Sequence, residues 1–126
     1  HFPEVRFNRI VPVPLHATRR RERGFNQSEE LGRHLSRLTG IPMERKLLVR
    51  VRPTSSQTRL RRRERAENIR DAFACRAPEE AVGLHLLLID DVYTTGATLN
   101  ECARILRAAG ARSMRCLAFA RTLLDP

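Results

Sequence analysis

Two adjacent carboxylates, Asp90 and Asp91, follow the most hydrophobic short run of the chain, Leu86, Leu87, Leu88 and Ile89. Just beyond them come Thr94, Thr95, Gly96, Ala97 and Thr98. Carboxylates accept hydrogen bonds from sugar hydroxyls. Threonine hydroxyls and the backbone N–H groups of a helix start donate to phosphate oxygens, and the helix dipole favours an anion there. A ribose 5-phosphate fits that order of acceptors and donors. Two charges beside a buried strand are costly without partners. The carboxyl end of a strand in an open α/β sheet solves this, because it opens into a ligand crevice. Successive strand residues point to opposite faces, so both aspartates can meet one ligand only where the strand gives way to a loop. Gly96 supplies close approach or a positive φ. The plain alternative makes the aspartates helix caps and the threonines turn residues, which accounts for one aspartate more readily than for two. Neither G-x-x-x-x-G-K-[ST] nor G-x-G-x-x-G is present here.

The second chemical signal is arginine. The chain carries a formal net charge of +10, and Lys46 is its only lysine. A planar guanidinium fork suits phosphate oxygens, so the balance points to nucleic acid or a polyphosphate. Arg19, Arg20, Arg21 and Arg23 form one cluster; Arg59, Arg61, Arg62, Arg63 and Arg65 form another. They read as a solvated basic face, as pyrophosphate ligands through charge-assisted bonds, or as sequence-independent contacts to nucleic-acid phosphates. Aromatic residues make up 5% and are not interleaved with the arginines, so a stacking platform for single strands is poorly supported. The first cluster is assigned to a ligand and the second to loop closure or DNA. Gln57 and Thr58 either bond substrate or shape a turn. Tyr93 either packs over the sugar or faces solvent, Phe25 packs, and Asn26 caps a helix.

These residues need a frame. At 126 residues the chain favours a single domain, 1–126, and its 41% hydrophobic content speaks against disorder. No apolar run is long enough to span a bilayer, so membrane insertion is not expected, and no secretory signal is visible. The start at His1 rather than Met suggests a fragment. Cys75, Cys102 and Cys116 form no C-x-x-C pair and read as small buried hydrophobes in a reducing, cytoplasmic compartment. The histidines show no ligand spacing, so a metal held by protein groups alone is not expected.

The expected elements run as follows. A strand at 9–14 ends near Pro12 and Pro14. An arginine-rich connection follows, then a helix opened by an Asn26/Glu29 capping box, with Leu31, Leu35 and Leu38 on one face and a stop at Gly40 and Pro42. A strand at 47–51 precedes a mobile loop at 54–68, and a strand resumes at 72–75. Residues 77–83 connect to a strand at 86–89 that is apolar on both faces, as in a parallel sheet. The helix at 97–109 turns Leu99, Cys102, Ala103, Leu106 and Ala109 inward and Asn100, Glu101, Arg104 and Arg107 outward, with Gly110 as its cap. A strand at 114–120 completes a βαβ unit. The fold class is α/β, a mainly parallel sheet flanked by helices.

The stretch LLLIDDVYTTGATL resembles the signature of type I phosphoribosyltransferases: a hydrophobic strand, two acidic residues and a T-G-x-T phosphate loop. VPVPLHATRRRERGFNQSEELGRHL and PTSSQTRLRRRERAENIRDAF resemble the ComF family, bacterial phosphoribosyltransferase-like proteins linked to competence for DNA uptake, with GntX-type relatives. The resemblance covers nearly the whole chain. It implies that Asp90 and Asp91 contact the ribose hydroxyls of phosphoribosyl pyrophosphate (PRPP), and that Thr94, Thr95, Gly96, Ala97 and Thr98 hold its 5-phosphate. It puts the pyrophosphate loop at Arg19, Arg20, Arg21 and Arg23, and a flexible loop closing over substrate at Gln57, Thr58, Arg61 and Arg65. Mg2+ would arrive with PRPP, held mainly by ligand oxygens. Single-stranded DNA and proteins of the competence machinery are the further partners. No catalytic base stands out. Family members commonly carry an N-terminal four-cysteine zinc segment that these residues do not include, and no segment for recognising a nucleobase is apparent.

Overall fold

The computed structural model describes residues 6–14, 26–51, 72–93 and 96–121, with the backbone alone at 91–93 and 119–121. The aliphatic run forms the middle of strand β4 (His85–Tyr93), which lies between β1 (Arg9–Pro12) and β5 (Ser113–Arg121) in a parallel three-stranded sheet ordered β1-β4-β5. Ile10 pairs with Leu87 and Pro12 with Ile89 on one side; Leu88 pairs with Cys116 and Asp90 with Ala118 on the other. A strand flanked on both edges must be apolar on both faces, and Leu86, Leu88 and Ile89 have no exposed surface. Met43 adds a parallel bridge to Ile10 at the outer edge of β1. Pro12 is the last residue of β1, and Val13 still bonds to the Ile89 carbonyl at 2.9 Å.

The main core covers one face of this sheet. Val11, Val13, Leu86 and Leu88 meet Leu99, Cys102 and Leu106 of helix α2 (Ala97–Ala108), together with Leu47, Leu48, Ala72 and Phe73. The last four belong to or adjoin an antiparallel hairpin of β2 (Leu48–Arg50) and β3 (Phe73–Cys75). The parallel sheet of the sequence reading holds for three strands, and the hairpin stands apart from it. A 3-10 turn, Pro78–Glu80, occupies the expected connection before β4.

Helix α1 (Gln27–Thr39) covers the other face. Its inward residues differ from the expected leucine stripe: Ser28, Glu29 and Gly32 are buried, whereas Leu38 is 76% exposed. Gly32 explains this. A Cβ there would lie 2.9 Å from the Met43 sulfur and 3.3 Å from Ile10 Cγ2, so the helix approaches the sheet along its glycine. Leu31 and Leu35 flank that contact, half-buried. Buried Glu29 faces the guanidinium groups of Arg33 and Arg45 at 3.9 and 3.8 Å.

Three further expectations are corrected. Glu101 turns inward, buried against Arg104, whose Nε and Nη2 donate to its two oxygens at 2.9 and 2.6 Å. Only Cys102 of the three free cysteines is buried; Cys75 is partly covered and Cys116 is exposed on the outer strand. Strand β4 does not stop at Ile89 but runs through both aspartates to Tyr93, because β5 continues beside it and pairs Val92 with Ala120 and Tyr93 with Arg121. At the end of α2, Gly110 follows the capping residue Ala109. Gly110 bonds to the Arg107 carbonyl and Ala111 to that of Leu106, the paired bonds that close a Schellman motif.

Candidate functional site at the carboxyl edge of the sheet

Because β1 and β4 are parallel, both release the chain at the same edge, the one where ligands gather in open α/β sheets. Asp90 shares a face with Leu86 and Leu88, so it turns toward α2 and is half-buried. Its charge is felt there. Burial pushes the Cys102 thiol well above its usual range, and the Asp90 carboxylate is the next largest cause. The thiol of Cys116 is likewise raised by desolvation and then by Asp90. Cys102 is therefore a neutral packing group rather than a nucleophile at ordinary pH.

The start of α2 supplies the donor side. Gly96 occupies the N-cap position with φ 81° and ψ −3°, a left-handed conformation that a residue with a Cβ reaches only with strain. Among the described residues no side chain caps the helix; Asn100 closes the first helical bond to the Gly96 carbonyl at 2.8 Å. Thr98 lies one turn before Cys102, so Asp90 and the first turn of α2 share a neighbourhood.

Two other segments reach the same edge. The chain leaves β1 at Val13 and Pro14 and returns at Asn26. The Asn26 side chain accepts from the backbone N–H groups of Ser28 and Glu29 at 2.8 and 3.3 Å and donates to the Val13 carbonyl at 3.2 Å. The β2–β3 hairpin closes with Val51 bonding to the Ala72 carbonyl at 2.7 Å. Residues 52–71 are thus the connection across that hairpin. At its base Arg50 lies over the Phe73 ring, 4.6 Å from the centroid. The Arg50 charge lowers the Cys102 thiol, against the raising effects of Asp90 and Glu101, so both charges act on the pocket around Cys102.

Of the residues singled out from sequence, Asp90, Gly96, Ala97 and Thr98 are thus brought to one edge. Thr94, Thr95, Arg19, Arg20, Arg21, Arg23, Gln57, Thr58, Arg61 and Arg65 lie outside the described residues, as does the loop expected at 54–68, and only the backbone of Asp91 and Tyr93 is described. Two contributors escaped the sequence reading. Asn26 was legible as a cap, but its bond to Val13 is tertiary. Arg50 ends a short strand in a chain full of arginines, and no spacing marks it out. No group of three His, Cys, Asp or Glu residues able to hold a metal occurs among the described residues.

Residues 8–123 match the family model described as the phosphoribosyl transferase domain, and the chain belongs to that family. It is 40% identical over 116 residues to the DNA utilization protein YhgH of Salmonella typhi, covering 92% of this chain and 50% of that protein. It is 37% identical over 113 residues to Competence protein F of Haemophilus influenzae, covering 89% and 49%. It is 36% identical over 109 residues to Competence protein ComFC of Bacillus subtilis, covering 86% and 42%. These relatives bear out the resemblance to the ComF family, and the chain spans about half the length of the curated relatives it matches. Among solved structures it is similar to the glutamine PRPP amidotransferase of B. subtilis, with a TM-score of 0.61 at 21% identity over 90% of this chain and 22% of that one. A structure described as the allosteric regulatory enzyme of purine biosynthesis gives 0.58 at 20% identity, over 92% and 22%. Such likeness shows the fold, that of the type I phosphoribosyltransferases. Among the described residues, no helix is long and apolar enough to cross a membrane.

Proposed function

We propose that this chain binds PRPP with Mg2+ at the carboxyl edge of its sheet, as a ComF-type protein serving DNA uptake or utilization in the cytoplasm, within one phosphoribosyltransferase-like domain spanning 1–126. The observation that carries this reading is Asp90 in the carboxyl-terminal half of the central strand, beside the first turn of α2, which opens at a left-handed Gly96. In this reading Asp90 and Asp91 accept from the 2- and 3-hydroxyls of the ribose, and Thr94 to Thr98 surround the 5-phosphate. Arg19, Arg20, Arg21 and Arg23 face the pyrophosphate. Gln57, Thr58, Arg61 and Arg65 approach from the hairpin connection.

If the site turns over, a nucleophilic acceptor forms a bond to the anomeric carbon as the bond from that carbon to the pyrophosphate oxygen breaks. The electron pair leaves with pyrophosphate, and the acceptor's proton passes to water. Mg2+, when bound, balances the charge of the leaving group. The phosphate and hydroxyl oxygens of PRPP would be its principal ligands, with the Asp90 and Asp91 carboxylates alongside. The protein's own contribution is orientation and a fixed field of donors. Calorimetry with Mg2+ and PRPP tests the site. The wild type is expected to bind, and the Asp90→Ala/Asp91→Ala variant to lose at least about a hundredfold in affinity, given two charge-assisted contacts. No heat from the wild type, or equal binding by the variant, refutes the reading.

A second reading is favoured by the net charge of +10 and by the names of the relatives. In it the fold serves as a DNA-binding uptake factor that acts with competence proteins, with PRPP as a regulatory ligand or no ligand at all.

A further inference from the structure

Asn26 is 3% exposed, and its amide joins two elements. The Oδ1 atom accepts from Ser28 and Glu29, which caps α1. The Nδ2 atom donates to the carbonyl of Val13, thirteen residues earlier, at 3.2 Å. Val13 in turn donates its N–H to the Ile89 carbonyl at 2.9 Å, in the residue before Asp90. The amide orientation follows from chemistry. Reversed, it would set N–H against N–H and carbonyl against carbonyl. A row of hydrogen bonds thus runs from the central strand through the end of β1 to the start of α1.

We propose that Asn26 is a positioning residue for the edge of the site that takes the diphosphate, acting by holding the end of β1 and the start of α1 at one separation. This rests on the PRPP reading above. Capping requires only an acceptor, and serine or aspartate would supply it as well. The donor to Val13 is what asparagine adds. Without it, the β1–α1 edge must be ordered when the diphosphate binds, and that cost falls on affinity. The ribose 5-phosphate half of the ligand sits at β4 and α2 and does not bear the cost.

The two functions separate in Asn26→Ser and Asn26→Asp. Both variants keep a capping oxygen and lose the amide N–H that bonds Val13; aspartate has no donor at all, and serine, with a shorter hydroxyl, adds no charge that could repel phosphate. Affinities for Mg2+–PRPP and for ribose 5-phosphate are measured by calorimetry beside thermal unfolding. We expect PRPP binding to weaken about tenfold in both variants, the worth of one buried hydrogen bond. Ribose 5-phosphate affinity should stay within about twofold. An unchanged PRPP affinity, or equal losses for both ligands, overturns the proposal while leaving the PRPP reading intact. Unfolding of both variants overturns it too, since the bond to Val13 would then be purely structural. A wild type that binds neither ligand removes the PRPP reading, and the proposal with it.

Discussion

Replacing Gly110 by alanine probes the edge of the sheet opposite the site. Gly110 links the C-terminus of α2 to β5 at φ 108°, a conformation that costs a residue with a Cβ about 1–2 kcal/mol. It cannot slide away, because its carbonyl accepts from Gly83 at 2.9 Å and its N–H bonds to Arg107. The new Cβ would lie 3.1 Å from Val82 Cγ2 and 3.4 Å from Val82 Cα. That contact adds roughly 1 kcal/mol, the low end of overpacking, since Val82 is 62% exposed and has room to yield. Reduced freedom of the unfolded chain returns about 0.5 kcal/mol. The balance is a loss of about 2 kcal/mol, or a fall of about 6–8 °C in Tm for a domain of this length.

A double-mutant cycle divides the effect. Val82→Ala alone should cost at most about 0.5 kcal/mol, as expected for an exposed side chain. Gly110→Ala should cost about 1 kcal/mol less in that background, because Cγ2 is gone while the backbone strain stays. Urea unfolding of the four proteins, followed by far-UV circular dichroism, gives the cycle. Equal losses in both backgrounds would refute the Val82 contact, and a total loss under about 0.5 kcal/mol would refute the strain at φ 108°. The folded variant should bind PRPP as the wild type does, since Gly110 and Asp90 lie at opposite ends of β4 and β5. A weakened affinity would break the assignment of stability to one edge and binding to the other.

Two other expectations concern charge. The folded-state pKa of Cys102 is raised above the ordinary thiol value of 9.0, so the unfolded chain loses that proton at lower pH than the folded one. Stability from this group is therefore complete below pH 9 and declines as pH climbs above it. In Cys102→Ala that decline between pH 9 and 10.5 should flatten in urea titrations, and an unchanged slope would contradict the burial argument. For the DNA-binding reading, single-stranded DNA affinity should fall steeply with salt. Substitution of Arg61, Arg62 and Arg63 by alanine should reduce the slope of log affinity against log salt by about 2 (0.7 per phosphate contact), whereas negligible binding at low salt would rule the reading out.

The sequence was most legible where one local rule decided the outcome. Four aliphatic residues in a row could only suit a strand covered on both faces, and Leu86 to Ile89 sit between β1 and β5. Gly40 and Gly110 ended helices where their backbone freedom was needed. Legibility failed where two segments decided together. The leucines of α1 looked like its core stripe, yet helix packing follows the closest approach of two backbones, and Gly32 against Ile10 and Met43 allows a closer one than leucine does. Glu101 looked solvent-facing because helical periodicity cannot show that Arg104 will screen it. The aspartates were expected to end their strand, but β5 continues past them and extends the ladder.

The same cooperation explains how a basic chain makes use of two aspartates. Asp90 is not isolated among like charges or lost among opposite ones. It lies near the positive start of α2, and buried Cys102 responds to Asp90 and Arg50 in opposite senses. A ligand with hydroxyls and several phosphates asks for that mixture: acceptors fixed at one point within a surrounding positive field. Parallel topology places the ends of β1 and β4 on one edge. Under the PRPP reading, a positive field at that edge favours a polyanion, and the carboxylate gives preference to one that also presents hydroxyl donors. An inorganic polyphosphate, which has none, should therefore bind less well than its charge alone predicts.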